Sequence, residues 1–567
     1  MAAPVPIHGA RDRVALRGEV PRPQLTPYRY VALATLAFAA ALYTYGSAHF
    51  PLTDPDEARY AEIAREMLAS GDWVTPHLNF VKYFEKPPLV YWATALSFAG
   101  FGQSELAARL PSLLSALGTV ALTIWLAVRL YGAATAALAA VILGFGPLFG
   151  ILAQVLTLDM ALTFFLTAAL AALWCACATA REEERARRWV RLAYAAVALA
   201  VLVKGPVAVV LFAGVALPFV IVHVGWRSTR PFFDRWALAL AVAIALPWFL
   251  LVGWRNPEFW SFFVVDQHIH RYLSSHEHGE PLWFFVPVIV LALAPWGFAA
   301  LLDPVSLRAA VTRRSAGTQF LAVWVAVIVG FFSLSSSKLI TYVLPAMPPL
   351  AILCARALLW AIEQRRTAGL SRLASGLLLS GPAVAIAAAV LLLVSDHWRP
   401  QALAPFLFAA ALPLSATGLF MRRLLPARPY AALVALGLGW LMLFGIAVAG
   451  RGVANDSRVL GRAARAAMGP EDRLAFYRKY VQGVVFYSER RAALIGTRGE
   501  LKFGSQQGDQ SAWFWPGDAD LAREWAAPGR LFVLFNRSDL ERLRPLLDPP
   551  PREIAAKDKK VLVVNRE

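Results

Sequence analysis

The chain has 567 residues, 58% of them hydrophobic and 16% charged. A soluble globular protein carries roughly 25% charged residues, so this composition excludes one and points to a multi-pass membrane protein. The formal net charge is +18, yet the basic residues fall in short clusters between apolar runs. That distribution argues against nucleic acid as a partner and for membrane topology and anionic lipid.

Residues 1–27 are polar and rich in Pro and Arg, with no apolar run or cleavage site of signal-peptide type, so they read as a cytoplasmic tail before an uncleaved first span. Apolar runs long enough to cross a bilayer lie near 28–47, 109–128, 133–152, 158–179, 190–203, 205–224, 236–254, 283–302, 318–334, 340–361, 374–394, 403–421 and 429–450. They give a polytopic α-helical membrane domain, residues 28–450, of about thirteen transmembrane helices. The run at 190–203 is the shortest and depends on a boundary at Lys204.

Arg clusters at the N-terminus and at 181–191, 226–235, 308–314, 363–372 and 421–428 alternate with Arg-poor loops, and the positive-inside rule makes them cytoplasmic. Loops 48–108 and 255–282 then face outward. The segment "LVYWATALSFAGFG" (89–102) must begin and end outside, and at this length it reads as re-entrant or interfacial; a short true span is the alternative and would invert the N-terminus. Cys175, Cys177 and Cys354 sit in apolar runs and form no disulfide or zinc pattern. Beyond 451, short apolar runs at 473–479, 483–489, 492–497, 530–536 and 560–566 alternate with polar and helix-like segments, which reads as a soluble C-terminal α/β domain, residues 451–567, on the outer face. It carries no nucleotide-binding signature.

Ionisable residues beside the membrane that topology does not explain are the functional candidates. In "PLTDPDEARYAEIAREM" (51–67), Asp54, Pro55 and Glu57 fit an N-cap, N1 and N3 capping box. Asp56, Arg59, Tyr60 and Ile63 then share one helix face, either lining a site or forming an ordinary ion pair. Tyr83, Glu85 and Lys86 precede two prolines, and Lys86 is placed either to meet a lipid phosphate or to snorkel. Asp159 stands at the outer mouth of a span, where the competing role is helix capping. The loop "VVDQHIHRYLSSHEHGE" (264–280) holds His268, His270, His276 and His278. It is either a polar loop or part of a divalent-metal or phosphate site, with Glu85, His268 and His270 as candidate metal ligands. Lys204, Lys338 and Tyr342 are further outer-face candidates for binding the donor phosphate.

The order of "DPDEARYAE", "FEKPPLVYW", "ELAARLPS" (105–112), "TLDM" (157–160) and "KLITYVLPAMPPL" (338–350) resembles the C-type (GT-C) membrane glycosyltransferases. That family includes protein O-mannosyltransferases and the bacterial transferases that add 4-amino-4-deoxy-L-arabinose to lipid A, and the outer α/β domain is most like the latter. The resemblance implies an inverting transferase of the bacterial inner membrane, with its active site and C-terminal domain periplasmic. Its donor would be a sugar on undecaprenyl phosphate and its acceptor a lipid A phosphate, and it would act as a monomer among membrane lipids to confer polymyxin resistance. It implies Asp56 and Asp159 as catalytic acids, and Arg59, Tyr60, Tyr83, Lys86 and Tyr342 as the phosphate and carrier environment. Competing readings are a protein O-mannosyltransferase, another polyprenyl-linked sugar transferase, and a lipid flippase or transporter. Against the last, the ionisable residues gather in outer loops and no inverted repeat is present. Alkaline phosphatase fused at residue 75 and at residue 105 is expected to be active in both positions; one inactive fusion overturns the topology.

Overall fold

The computed structural model describes residues 26–224, 229–264, 279–312, 315–394, 398–450 and 457–567. Each apolar run of the membrane domain is helical. Among the described residues, nine helices are long and apolar enough to cross a membrane by themselves. These include α1 (Thr26–His49), α4 (Glu105–Tyr131), α7 (Leu158–Ala178) and α10 (Arg235–Arg255). The other four expected crossings are shorter, interrupted or charged at one end. Residues 133–152 form α5 (Ala133–Phe145) and α6 (Pro147–Leu152), broken at Gly146. A Cβ there would lie 2.8 Å from the Ala292 carbonyl of a neighbouring helix, so only glycine allows the approach. The run at 190–203 belongs to α8 (Glu183–Lys204), which starts in the Arg-rich stretch, and α9 (Val207–His223) has 17 residues. Residues 283–302 form two pieces, Phe285–Ala292 and Trp296–Leu301. Outward faces rich in exposed Leu, Val and Trp, such as Trp254 and Leu393, suit hydrocarbon and would be rejected by water. The chain is a multi-pass membrane protein, and its three cysteines are free and buried.

The stretch of residues 50–104 joins α1 to α4. It forms α2 (Asp56–Ser70), a hairpin of β1 (His77–Leu78) and β2 (Val81–Lys82), and α3 (Leu89–Phe101). At 13 residues, α3 is about 20 Å long against a hydrocarbon core of about 30 Å, the length expected of a helix that lies at or dips into the surface.

The start of α2 departs from the local sequence signal. The helix begins at Asp56 with Pro55 as its flanking residue, and no side chain caps it. Asp54 instead accepts from the Gly483 backbone N–H at 2.6 Å and from the Ser457 hydroxyl, both in the C-terminal domain. Glu57 is fully buried and pairs with Arg109 of α4. The Arg109 guanidinium has five N–H donors and uses all of them: Nε and one Nη2 hydrogen go to Glu57 (2.7 and 2.9 Å), the others to the Ser47, Phe50 and Pro51 carbonyls (3.0, 2.7 and 2.8 Å). Glu57 also accepts from the Leu156 and Thr53 backbone N–H groups at 2.7 and 2.9 Å. Burial works against the Glu57 charge, but Arg109 and these donors outweigh it and hold the carboxyl below its usual range. The pair ties the end of α1, the start of α2, α4 and the lead-in to α7 into one junction.

The C-terminal domain is a six-stranded sheet in the order β5-β4-β3-β6-β8-β7. Its strands are β3 (Arg473–Tyr477), β4 (Ala492–Ile495), β5 (Phe514–Trp515), β6 (Leu531–Asn536), β7 (Arg552–Lys557) and β8 (Lys560–Val564). The first four are parallel neighbours and β7–β8 is an antiparallel hairpin. The short apolar run at 483–489 is a helix, α11 (Gln482–Ser488), because the parallel neighbours β3 and β4 require a crossover between them. The domain seats on the α2 segment. Asn79, at the hairpin tip with φ 55°, exchanges two hydrogen bonds with the Ala492 backbone (2.8 and 2.9 Å), and Tyr487 accepts from the Leu52 N–H at 2.8 Å.

Breaking a buried ion pair from one side costs about 3–5 kcal/mol. Arg109→Ala and Glu57→Ala are therefore each expected to cause a large loss of folded protein, read as the monodisperse fraction in detergent after a thermal ramp. Arg109→Lys, with fewer donors and no fork, is expected not to restore it.

Candidate active site

The candidates fall into two clusters, both within electrostatic range of Tyr60. The first centres on Arg59. Its Nη2 pairs with Asp56, and its Nη1 lies 3.0 Å from the Tyr83 hydroxyl, 3.0 Å from Glu500 and 3.8 Å from Glu85. The guanidinium also sits over the Tyr60 ring, 5.7 Å from its centroid. Its Nε is buried and has no hydrogen-bond partner among the described residues. Burial opposes the Arg59 charge, but Tyr83, Glu500, Tyr60 and Glu85 together hold it protonated far above any physiological pH. Burial also pushes the Tyr83 hydroxyl well up, so it is a neutral hydrogen-bonding group here. Asp56 is the accessible acid of the cluster, its side chain 65% exposed against 18% for Glu85 and 17% for Glu500.

The second cluster joins three separate spans. Thr157 caps α7 by accepting from the Asp159 N–H, which frees the Asp159 carboxylate to pair with Lys204 at the end of α8. The Lys204 ammonium stands 4.5 Å above the Tyr342 ring, in the 3₁₀ turn Ile340–Ala346, a cation–π contact. Capping by Asp159, the competing reading, is thus performed by its neighbour. Tyr60 lies within electrostatic range of Arg59, Asp56, Glu85 and Asp159 together, and it packs tilted against Tyr91 of α3 with centroids 6.0 Å apart.

Lys86 is half-buried beside Glu85, immediately before Pro87 and Pro88. The Lys338 ammonium donates to the Glu280 and Ser335 carbonyls at 2.7 Å each. His268 and His270 lie outside the described residues. Among the described residues no three His, Cys, Asp or Glu side chains converge where a metal could sit, and Glu85 is turned to Arg59.

Sequence spacing did not reveal Glu500 or Gln482, which donates to Glu500 at 2.5 Å. Both come from the C-terminal domain, more than 400 positions from Arg59, and no periodicity links them to it. Glu57 was legible as an acid at a helix start, but not as the partner of Arg109.

The family profile of dolichyl-phosphate-mannose-protein mannosyltransferases matches residues 30–263, and that of the aminoarabinose transferase C-terminal domain matches residues 460–566. The undecaprenyl phosphate-α-4-amino-4-deoxy-L-arabinose arabinosyl transferase of Pseudomonas aeruginosa is 37% identical over 54% of this chain and 55% of its own. One from Pseudomonas fluorescens is 36% identical over 60% of this chain and 62% of its own. The chain thus matches somewhat more than half the length of these curated relatives. The crystal structure of ArnT from Cupriavidus metallidurans bound to undecaprenyl phosphate superposes with a TM-score of 0.84 at 26% identity, covering 94% of this chain and 98% of that one; its apo form gives 0.82. Membrane region, terminal domain and fold are thus each similar to the aminoarabinose transferases of the C-type membrane glycosyltransferases and to the related O-mannosyltransferases.

Proposed function

We propose that this protein transfers 4-amino-4-deoxy-L-arabinose from undecaprenyl phosphate to a phosphate of lipid A, on the periplasmic side of the bacterial inner membrane, as a monomer, and thereby confers resistance to polymyxin. The observation that carries the reading is one exposed carboxylate, Asp56, held beside a buried, permanently charged Arg59 at the surface of the membrane domain. Relatives named for this transfer and a neighbour bound to undecaprenyl phosphate support it.

The chemistry follows from the charges. An acceptor phosphate oxygen is already ionised at neutral pH, so no general base has to remove a proton. That oxygen attacks the anomeric carbon and forms the new C–O bond. The bond from that carbon to the polyprenyl phosphate oxygen breaks with its electron pair, and the configuration inverts. Charge develops on the departing phosphate, where Arg59, Lys86 and the Tyr83 hydroxyl stabilise it. Asp56 faces the positive charge that grows at the sugar carbon. Asp159, paired with Lys204, fixes the lysine and, through it, Tyr342.

With a hydroxyl acceptor, as in the mannosyltransferase reading, Asp56 would have to take a proton and activity would fall as it is protonated. In a strain lacking its own transferase, wild-type protein is expected to yield lipid A heavier by one aminopentose, read by mass spectrometry. Asp56→Asn and Lys86→Ala are each expected to reduce that product by about 10²-fold or more. Unchanged product with both variants overturns the assignment, and unmodified lipid A with the wild type overturns the proposed acceptor.

A further inference from the structure

Among the described residues, three carboxylates lie against the Arg59 guanidinium. Asp56, Glu85 and Glu500 share a single guanidinium, and Glu500 takes the nitrogen that also serves Tyr83. Glu500 belongs to the C-terminal domain. It sits on the short 3₁₀ turn Gly499–Leu501 after β4, flanked by Gly496 and Gly499 with φ of 67° and 46°. Its second oxygen is held by Gln482 at the start of α11. The groups facing it are Arg59 and Asp56 on α2, Tyr83 and Glu85 before α3, Tyr91 on α3, and Tyr480 before α11.

A donor phosphate arriving at Arg59 meets these three carboxylates in a poorly hydrated place, where like charges repel far more strongly than in water. One carboxylate must leave or be neutralised. Asp56 is the exposed acid facing the sugar, and Glu85 is already 3.8 Å away. Glu500 is in closest competition with a phosphate oxygen, at 3.0 Å from Nη1, and its turn carries the glycines that let a side chain swing. Burial, helped by Glu85 and Asp56, raises its carboxyl above the usual range despite Arg59 and Gln482.

We propose that Glu500 is a positioning residue supplied by the C-terminal domain: it occupies Arg59 in place of the donor phosphate, keeps the guanidinium aimed between Asp56 and Tyr83, and gives up that place when phosphate binds. This rests on the reading of Arg59 as a phosphate ligand. Protonation detaches Glu500 from Arg59, so phosphate binding is linked to proton uptake. As pH rises and Glu500 ionises, phosphate must compete with a full carboxylate and binds more weakly. The C-terminal domain thereby senses whether the donor site is filled.

The test uses full-length protein in nanodiscs and undecaprenyl phosphate as the probe, with Kd measured from about pH 5.5 to about pH 8.5. Dividing the wild-type Kd by that of Glu500→Gln cancels the probe's own ionisation. The ratio is expected to rise by about tenfold across the range, with the Gln variant binding more tightly at the alkaline end. Glu500→Ala is expected to show the same rise, and Glu500→Asp to keep the wild-type slope. A ratio that stays constant with pH for both neutral variants, or tighter binding by the wild type at high pH, overturns the role of Glu500 and leaves the functional reading intact. Absence of undecaprenyl phosphate binding by the wild type at every pH overturns the functional reading and this inference together.

Discussion

The junction between the membrane bundle and everything outside it depends on one buried ion pair. Arg109 sits near the N-terminal end of α4, and Glu57 in the first turn of α2, both without solvent exposure. A charge in such a place is costly unless every donor and acceptor is satisfied. Here the guanidinium spends all its hydrogens on Glu57 and three carbonyls at and just beyond the end of α1, while Glu57 accepts one further backbone bond from Leu156 in the lead-in to α7 and one from Thr53. Three spans are thereby registered against the start of α2. The site residues hang from this arrangement: Asp56 and Arg59 follow Glu57 on α2, and Asp159 comes three residues after Leu156.

The helix that carries Arg59 is unusual for its burial. In α2, Glu57, Glu62, Arg65 and Glu66 are all buried, between the membrane bundle below and the C-terminal domain above. Arg65 forks onto Glu62 at 2.8 and 2.5 Å. Glu66 accepts from the Phe80 N–H at 2.8 Å. Burial and the neighbouring Glu62 push its carboxyl well up, so the neutral acid is favoured there. A polar helix can be buried this way only if a second domain covers it, which gives the C-terminal domain a structural task as well as a place at the site.

That cover is specific. Asp54, Asn79, Leu52 and Glu105 each bond to the C-terminal domain, to Gly483 and Ser457, Ala492, Tyr487 and Arg458 respectively. The segments that follow the carboxyl ends of the parallel strands β3 and β4 supply Gln482, at a helix start, and Glu500, in a 3₁₀ turn, in keeping with the general habit of open α/β sheets to present functional groups at that edge. In this protein the edge faces another domain of the same chain.

Much of this protein was legible in the sequence, because the physics that marks it is local. Apolar length against bilayer thickness marks membrane helices, and the Asp-Pro-Asp-Glu-x-Arg-Tyr stretch marks a charged surface helix whose Asp56, Arg59 and Tyr60 share a face. Asp159 stood out as an acid at the mouth of a span, and the alternation of short runs after 451 announced an α/β domain. Tertiary structure decided what local spacing cannot encode. Asp54 looked like a helix cap, but its donors lie on a domain more than 400 residues away. The run at 483–489 was short and apolar, and the parallel pairing of β3 and β4 made it a crossover helix. Lys204, Asp159 and Tyr342 come from three separate elements and meet only when those elements pack. The sequence determined which residues are charged beside the membrane, since hydropathy and helix period are properties of neighbours along the chain. Only the fold decided which of those charges neutralise one another, since Coulomb interactions depend on distance in space and on the burial that packing creates.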